Sequence, residues 1–526
     1  MSLLRIYLRH RSLVVLSLFV VPLVVVACVV SSTTRGKPLA IAGATRWVST
    51  PIKAHLRDGS TALFREGANV GANGIVGRGK RFSATLDSTA IDSVSLADVV
   101  GVEAYEREVN AGRTLVYGSV IGAVEAVAAA ALAIAIFGSC PTIYADSAGI
   151  QTLQAESFSY SIAPLLEKRD VDLLSVKPDA RNVIRLDVRN EALETHYIDQ
   201  LQLLEARHRT DETVVPVAKG RVAALRNIVA PASMTDSHGH DVSAELSSVD
   251  GVLFNSTGSV RAATDTTART EEFIDLTIPR PARRTRRDSV AVLMHLRSSL
   301  LSTTIFYDHM LAKHGARSLD WVGRDLGKIT TVAQVAKWYS DRFGLRVSVR
   351  DRGEWKQIVR LMDFGPAAWR TVAAMVPDVA GDDSLHVRLT FVADEFRIDR
   401  VAVSRDIRAV EPREVSISRV ITSTGEQRAD MRDYLREADE RRLVTSPGER
   451  LFAEFDVGPA RRGETRTYLL AATGYYVEWV RPNWIASATD TLPFSPHTTT
   501  REVLRSWIES RDSLERHFFV DRVPVR

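Results

Sequence analysis

LVYGSVIGAVEAVAAAALAIAIFGSCPTIY, residues 115–144, divides this chain. From Leu115 to Gly138 its one charged side chain is Glu125. A run of about twenty apolar residues is long enough to cross a bilayer as a helix. Gly118 and Gly122, then Ala126 and Ala130, repeat small residues at the spacing that lets a second helix approach closely. Glu125 opposes insertion, at roughly 3 kcal/mol near the bilayer centre. Two readings stay open: a second membrane helix over 115–138, or a helix or strand pair buried inside a soluble body. The chain before the run reads as a leader and a small β module. The chain after it reads as a large body built mostly of strands.

The leader occupies residues 1–30. Arg5, Arg9 and Arg11 precede an almost wholly apolar stretch from Leu13 to Val30 that contains Pro22. A basic start followed by such a stretch is the pattern of a secretory signal or an N-terminal anchor. It ends Val25-Val26-Ala27-Cys28, which resembles a bacterial lipoprotein signal with Cys28 as the lipidated residue. Lipidation at Cys28 and an uncleaved anchor both tether the protein to membrane lipid. A cleaved signal with free release is the third outcome.

Composition excludes several classes. The chain has 526 residues, 45% of them hydrophobic and 25% charged, an ordinary globular balance with material for several cores. Its 68 basic and 64 acidic residues are too evenly matched for a nucleic-acid partner. Two cysteines, Cys28 and Cys140, exclude a disulfide framework and a Cys-rich zinc site.

Residues 48–110 read as the small β module. Ile52, Ala54 and Leu56 alternate before Asp58-Gly59, a hairpin signal. Within it, Gly74-Ile-Val-Gly-Arg-Gly79-Lys80 has the G-x-x-x-x-G-K spacing of a phosphate-binding loop. Arg81 stands where a Ser or Thr should hold magnesium, and no amphipathic helix follows, so no nucleotide is expected.

After the apolar run come Phe137-Gly-Ser-Cys140-Pro-Thr-Ile-Tyr144, then Gln154-Ala-Glu-Ser-Phe158 and Ser161-Ile-Ala-Pro-Leu-Leu-Glu167. With Asp320-Trp-Val-Gly-Arg-Asp-Leu326 and Gly474-Tyr475-Tyr476 they resemble a group of uncharacterised bacterial envelope proteins that share an FGSCPT-aromatic segment. The resemblance covers most of the chain after residue 137. It implies an envelope location and supplies no catalytic residue. Such relatives often carry further cysteines before this segment, and Cys140 has no such neighbour here.

The expected fold class is mainly β with helical insertions (α+β): antiparallel β-sandwich modules plus N-terminal membrane segments. The divisions are a sandwich-like domain over 145–297, a helical insert over 298–344, a β-rich domain over 345–408, and a C-terminal β module with helices over 409–526. Ile184, Leu186 and Val188 alternate, as do Leu385, Val387, Leu389 and Phe391, with Phe396–Val403 following at hairpin distance. Thr331-x-x-Gln334 and Thr499-x-x-Glu502 read as capping boxes that open helices. The last helix should bury Val503, Trp507 and Leu514.

Five features carry chemistry. His238, His240 and Asp241 are spaced to share a metal on an extended chain, although solvated loop residues fit the pattern equally. Arg283, Arg284, Arg286 and Arg287, with Arg280, could meet anionic lipid or polysaccharide, although a solvated charge run between two strands fits them better. Asp382, Asp383, Asp394, Glu395 and Asp399 would suit a glycosidase if two of them faced each other in a cleft. Their places at turns and on the polar face argue for structure. Tyr475, Tyr476, Trp479 and Trp484 form an aromatic cluster that could contact a sugar or a cation, although aromatics at such places also plug sandwich edges. Cys140-Pro141 reads as structural.

No complete catalytic constellation or cofactor motif emerges. The expectation is a membrane-tethered extracytoplasmic protein, its body periplasmic or extracellular. It binds or scaffolds envelope protein or polysaccharide. A glycan-active hydrolase and a membrane-embedded assembly subunit are the alternatives.

Overall fold

Alternation of apolar and polar residues makes the strands, and the side each strand buries sorts them into five sheets. The protein is mainly β, its sheets almost wholly antiparallel. In this computed structural model the described residues are 32–39, 45–109, 140–479, 499–520 and 525, apart from short stretches within them. The leader, Cys28, the run 115–138, the arginine run 283–287 and Trp484 lie outside the described residues. Among those described, no helix is long and apolar enough to cross a membrane.

The first sheet has eight strands between Ser32 and Val109. It starts at Ser32 rather than near residue 48, because Ser32–Pro38 pairs with Val99–Val109. Ile52–Leu56 and Thr61–Phe64 form the hairpin expected around Asp58, whose carboxylate accepts the Ser60 N–H at 3.0 Å. Its core holds Ile52, Ala54, Phe64, Val70 and Ile75.

Two sheets then share the largest core, face to face in the manner of a sandwich. One orders Ile150–Glu156, Thr142–Ser147, Val183–Arg189, Arg450–Asp456 and Arg419–Thr422. The other orders Lys168–Leu174, Thr465–Glu478, Glu194–His208 and Arg413–Ser416, with Leu443–Thr445 also on Glu194–His208. Strands from 145–297 and 409–526 thus alternate in the same sheets, so these stretches are not separate modules. Pairing between distant segments is invisible to local pattern, which is why the expected boundaries fail.

A second pair of sheets packs around Ile274, Val292, Val347, Leu389 and Ile398. The strands Ser384–Val392 and Phe396–Ser404 are not a hairpin. The first pairs with Glu271–Pro279 and Leu345–Asp351, the second with Ser289–Ser298. The chain changes sheet at Asp394, whose φ of 65° is a left-handed turn that aspartate tolerates. The outer face of the Lys168–Leu174 sheet packs against Val214, Val222 and Ala224 of the second pair. That sheet is therefore covered on both faces.

The helical insert fills the flank of the largest core with Leu301, Ile305, Leu311, Trp321, Val335 and Trp338. It is broken: a π turn over Ile305–Leu311 leads to a kink at Gly315, and helix Ile329–Arg342 follows. That helix begins two residues before Thr331, and its N-cap Lys328 makes no side-chain cap hydrogen bond, so the first expected capping box is not used. The second is. Thr499 N–H donates to Glu502 at 2.6 Å, and Glu502 N–H to Thr499 Oγ1 at 3.2 Å, ahead of helix Thr500–Val520. Val503 and Trp507 are buried, whereas Leu514 is exposed.

Candidate ligand groove

The alternation that buries Ile184, Leu186 and Val188 turns Arg185, Asp187 and Arg189 outward. Opposite them on Arg450–Asp456, the same parity presents Arg450, Phe452 and Glu454, and Thr142–Ser147 adds Tyr144. All of these outward side chains but Arg189, which stands beside it, line a groove of about 570 Å³, to which Lys177, Asp179 and Arg181 add a wall. Asp179 fixes that wall by accepting the N–H groups of Arg181 and Val183 at 2.8 and 2.9 Å.

The groove floor is a charged ladder backed by rings. Asp187 accepts from Arg189 Nη2 at 2.6 Å and from Arg450 Nη2 at 2.7 Å. Both bonds end on Oδ2, and Arg450 Nε reaches Oδ1 at 3.3 Å, an arrangement that orients arginines rather than relays protons. The Arg185 and Arg450 guanidiniums stand 4.0 and 4.7 Å from the Phe452 ring centre, and that of Arg189 stands 4.1 Å from Tyr144. Each contact is worth about 0.5–1 kcal/mol when exposed. Tyr144 donates to Glu191 at 2.8 Å, and Arg419 closes the far side on Glu454 at 2.6 Å. Burial weakens the Arg189 cation, but Asp187 and Glu191 outweigh this and hold its pKa above the ordinary value. The groove thus offers planar faces and paired charges of both signs, which suits a polar, extended ligand.

The residues singled out by sequence fall elsewhere. Tyr475 and Tyr476 are fully buried and Trp479 is 1% exposed. Neighbours on a strand point to opposite faces, so their joint burial shows both faces covered. Tyr475 stacks on Tyr197 at 4.6 Å, Tyr476 donates to Ser159 O at 3.1 Å, and Trp479 donates to Thr195 at 2.9 Å. These three are packing, which corrects the expected ligand cluster.

Asp236 gathers the histidine loop: it accepts the N–H groups of His238 and His240, each at 2.8 Å, and lies 3.1 Å from His240 Nδ1. Asp241 turns away to cap Ser243 at 2.9 Å. Among the described residues no three His, Cys, Asp or Glu side chains converge as a metal site.

Asp394, Glu395 and Asp399 are buried rather than on a polar face. Asp394 accepts from Trp507 Nε1 and from Arg397 Nη1, both at 2.6 Å, and Glu395 accepts the Gly344 and Val392 N–H groups. Burial raises Glu395 to about 7. Cys140 is buried beside Ser159 at 3.1 Å, and burial, with Glu156 and Glu194 nearby, pushes its thiol well up. Such a thiol is inert. The glycines of the phosphate-loop spacing sit in strand Gly74–Phe82. A Cβ on Gly79 would meet the Phe64 ring at 2.8 Å, so close packing, not phosphate, requires the glycine.

The groove was missed because it needs two strands about 260 residues apart. The outward parity Arg185, Asp187, Arg189 was its one local sign.

The described fold is a mainly β chain of several antiparallel sheets with a polar groove on one outer face. No family model matches the chain, and no curated protein does. Solved structures of infectious bursal disease virus, Gx and Gt strains, align over 92% and 93% of this chain and 87% and 90% of theirs. Identity is 6% and 10% and the TM-scores are 0.13 and 0.10, which is no likeness of fold.

Proposed function

We propose that this is a membrane-tethered extracytoplasmic protein of the cell envelope, and that it binds or scaffolds an envelope polysaccharide or protein through the groove over Asp187. The tether rests on the leader ending at Cys28. The binding role rests on one observation: Phe452 and Tyr144 each carry guanidiniums on their rings around a doubly bonded Asp187. Sugar hydroxyls can bond the arginines and carboxylates that these rings hold in place, and a peptide can use the same groups.

Titrating purified envelope polysaccharide into the full chain, by calorimetry, tests this. Phe452→Ala and Arg450→Ala should each weaken binding by roughly 30-fold, the size of a central aromatic or arginine contact. Thermal melts should confirm that both variants fold. Folded variants that bind as tightly as the parent would reject the groove, and a parent that binds neither polysaccharide nor envelope protein would reject the function.

A further inference from the structure

The groove over Asp187 is a parting between two strands. Thr142–Ser147 and Val183–Arg189 are in register only where Thr142–Tyr144 meets Asp187–Arg189. Beyond Tyr144 the first strand keeps its pairing with Ile150–Glu156, and before Asp187 the second keeps its pairing with Arg450–Asp456. Ala145, Asp146 and Gln151 make one bank of the parting, and Val183, Ile184 and Arg185 make the other. A ligand lying between these banks runs along the strands, so a linear chain fits the shape.

Charge narrows the ligand further. Arg181 is held by Asp179 at 3.2 Å, Arg189 and Arg450 by Asp187 at 2.6 and 2.7 Å, and Arg419 by Glu454 at 2.6 Å. Asp146 has a partner as well. Lys177 and Arg185 are different: both are exposed, both line the groove, and neither forms an ion pair among the described residues. Arg185 rests on the Phe452 ring at 4.0 Å, a contact that leaves its N–H fork for a ligand. The charges left over in the groove are therefore both positive, and a guanidinium fork matches a carboxylate.

An acidic peptide is the other linear chain of carboxylates. Extended peptides bind by adding to an open strand edge. Here Val183 N–H and C=O are both taken by Asp179, each at 2.9 Å, and Arg450–Asp456 is paired on both sides. A glycan needs side chains alone.

We infer that the groove takes a linear polysaccharide built with uronic acids, whose carboxylates seat on Lys177 and Arg185. This deepens the binding role proposed above and rests on it.

The test titrates oligogalacturonate, and its methyl ester as the same chain without charge, into the full chain by calorimetry. The acid form should bind at least about 10-fold tighter. Raising salt from about 0.02 to 0.3 M should remove most of that preference, because exposed charge pairs are screened. Lys177→Gln and Arg185→Gln should each weaken the acid form at least about 5-fold, and together should bring acid and ester within about two-fold of each other. Arg350→Gln, at an exposed cation on another sheet, should leave the preference intact. Equal binding of acid and ester, both weakened by Phe452→Ala, would overturn the charge selection and leave the groove reading standing. So would a preference that survives the double variant or is lost with Arg350→Gln. Polyglutamate binding tighter than oligogalacturonate would overturn the choice of a glycan. Acid binding that Phe452→Ala leaves untouched would instead sink the groove reading itself, so the two failures are distinguishable.

Discussion

Asp172 and Asp170 lie on one face of strand Lys168–Leu174, and both reach Arg370 Nη2, at 2.5 and 2.8 Å. Asp172 is 3% exposed, and burial raises its pKa to about 8 against the pull of Arg370. Asp170, held by Arg370 and Lys168 despite its burial, is lowered. The folded protein therefore keeps a proton on Asp172 that the unfolded chain releases above about pH 4, and stability falls as pH climbs toward 8. His196 acts the other way. Burial lowers it to about 3, so stability is lost as pH falls below about 6.5. Between about pH 7 and 8 the Asp172 effect should dominate, at about 1 kcal/mol over that unit, and it fades above pH 8. Asp172→Asn should flatten the fall of the melting midpoint over that interval, and an unchanged slope would refute the assignment. Arg442 and Glu167 form a fully buried two-pronged pair at 3.0 and 2.7 Å. Arg442→Met should cost about 3–5 kcal/mol in denaturant unfolding by stranding Glu167, and adding Glu167→Gln should recover part of it. No local sequence signal marks either pair, because each partner is separated from the other by some two hundred residues or more.

At the scale of elements, strand Gly74–Phe82 and the C-terminal helix show what local chemistry can and cannot specify. Gly79→Val should destabilise by about 1–3 kcal/mol, read by denaturant midpoint, because the added carbons meet Phe64. ATP should leave the parent midpoint unmoved, since the spacing that imitates a phosphate loop is a strand. Thr499→Ala should cost about 1 kcal/mol by removing an acceptor from the first helical turn. The Thr499–Glu502 box was legible because a cap is made by residues three apart. The failed box at Thr331 shows the limit: Ile329 and Thr330 already belong to the helix, and packing of Val332, Val335, Trp338 and Tyr339 sets its extent.

For the whole molecule, the joint between the two pairs of sheets is polar. Besides Arg370 on Asp170 and Asp172, Glu156 accepts the N–H groups of Ala367 and Ala368 at 2.7 and 3.2 Å, and Tyr160 donates to Phe364 O. Buried charge of this kind holds register only while every partner remains. Arg370→Leu should uncouple the halves, and calorimetry should then resolve two unfolding transitions in place of one. A single transition, merely shifted down, would show that the remaining contacts, among them Val171 and Leu204 with Val214 and Val222, carry the joint without Arg370.

The amino-acid order by itself determined the mainly β class, strands such as Val183–Arg189 and Ser384–Val392, the Asp58 hairpin and the capped final helix. Each of these depends on residues a few places apart. Tertiary structure alone decided which strands share a sheet, that Tyr475, Tyr476 and Trp479 are core, and that Arg185, Asp187, Arg450 and Phe452 make one groove. Burial and pairing across hundreds of residues come from the sum of all contacts, and no short window of sequence contains that sum.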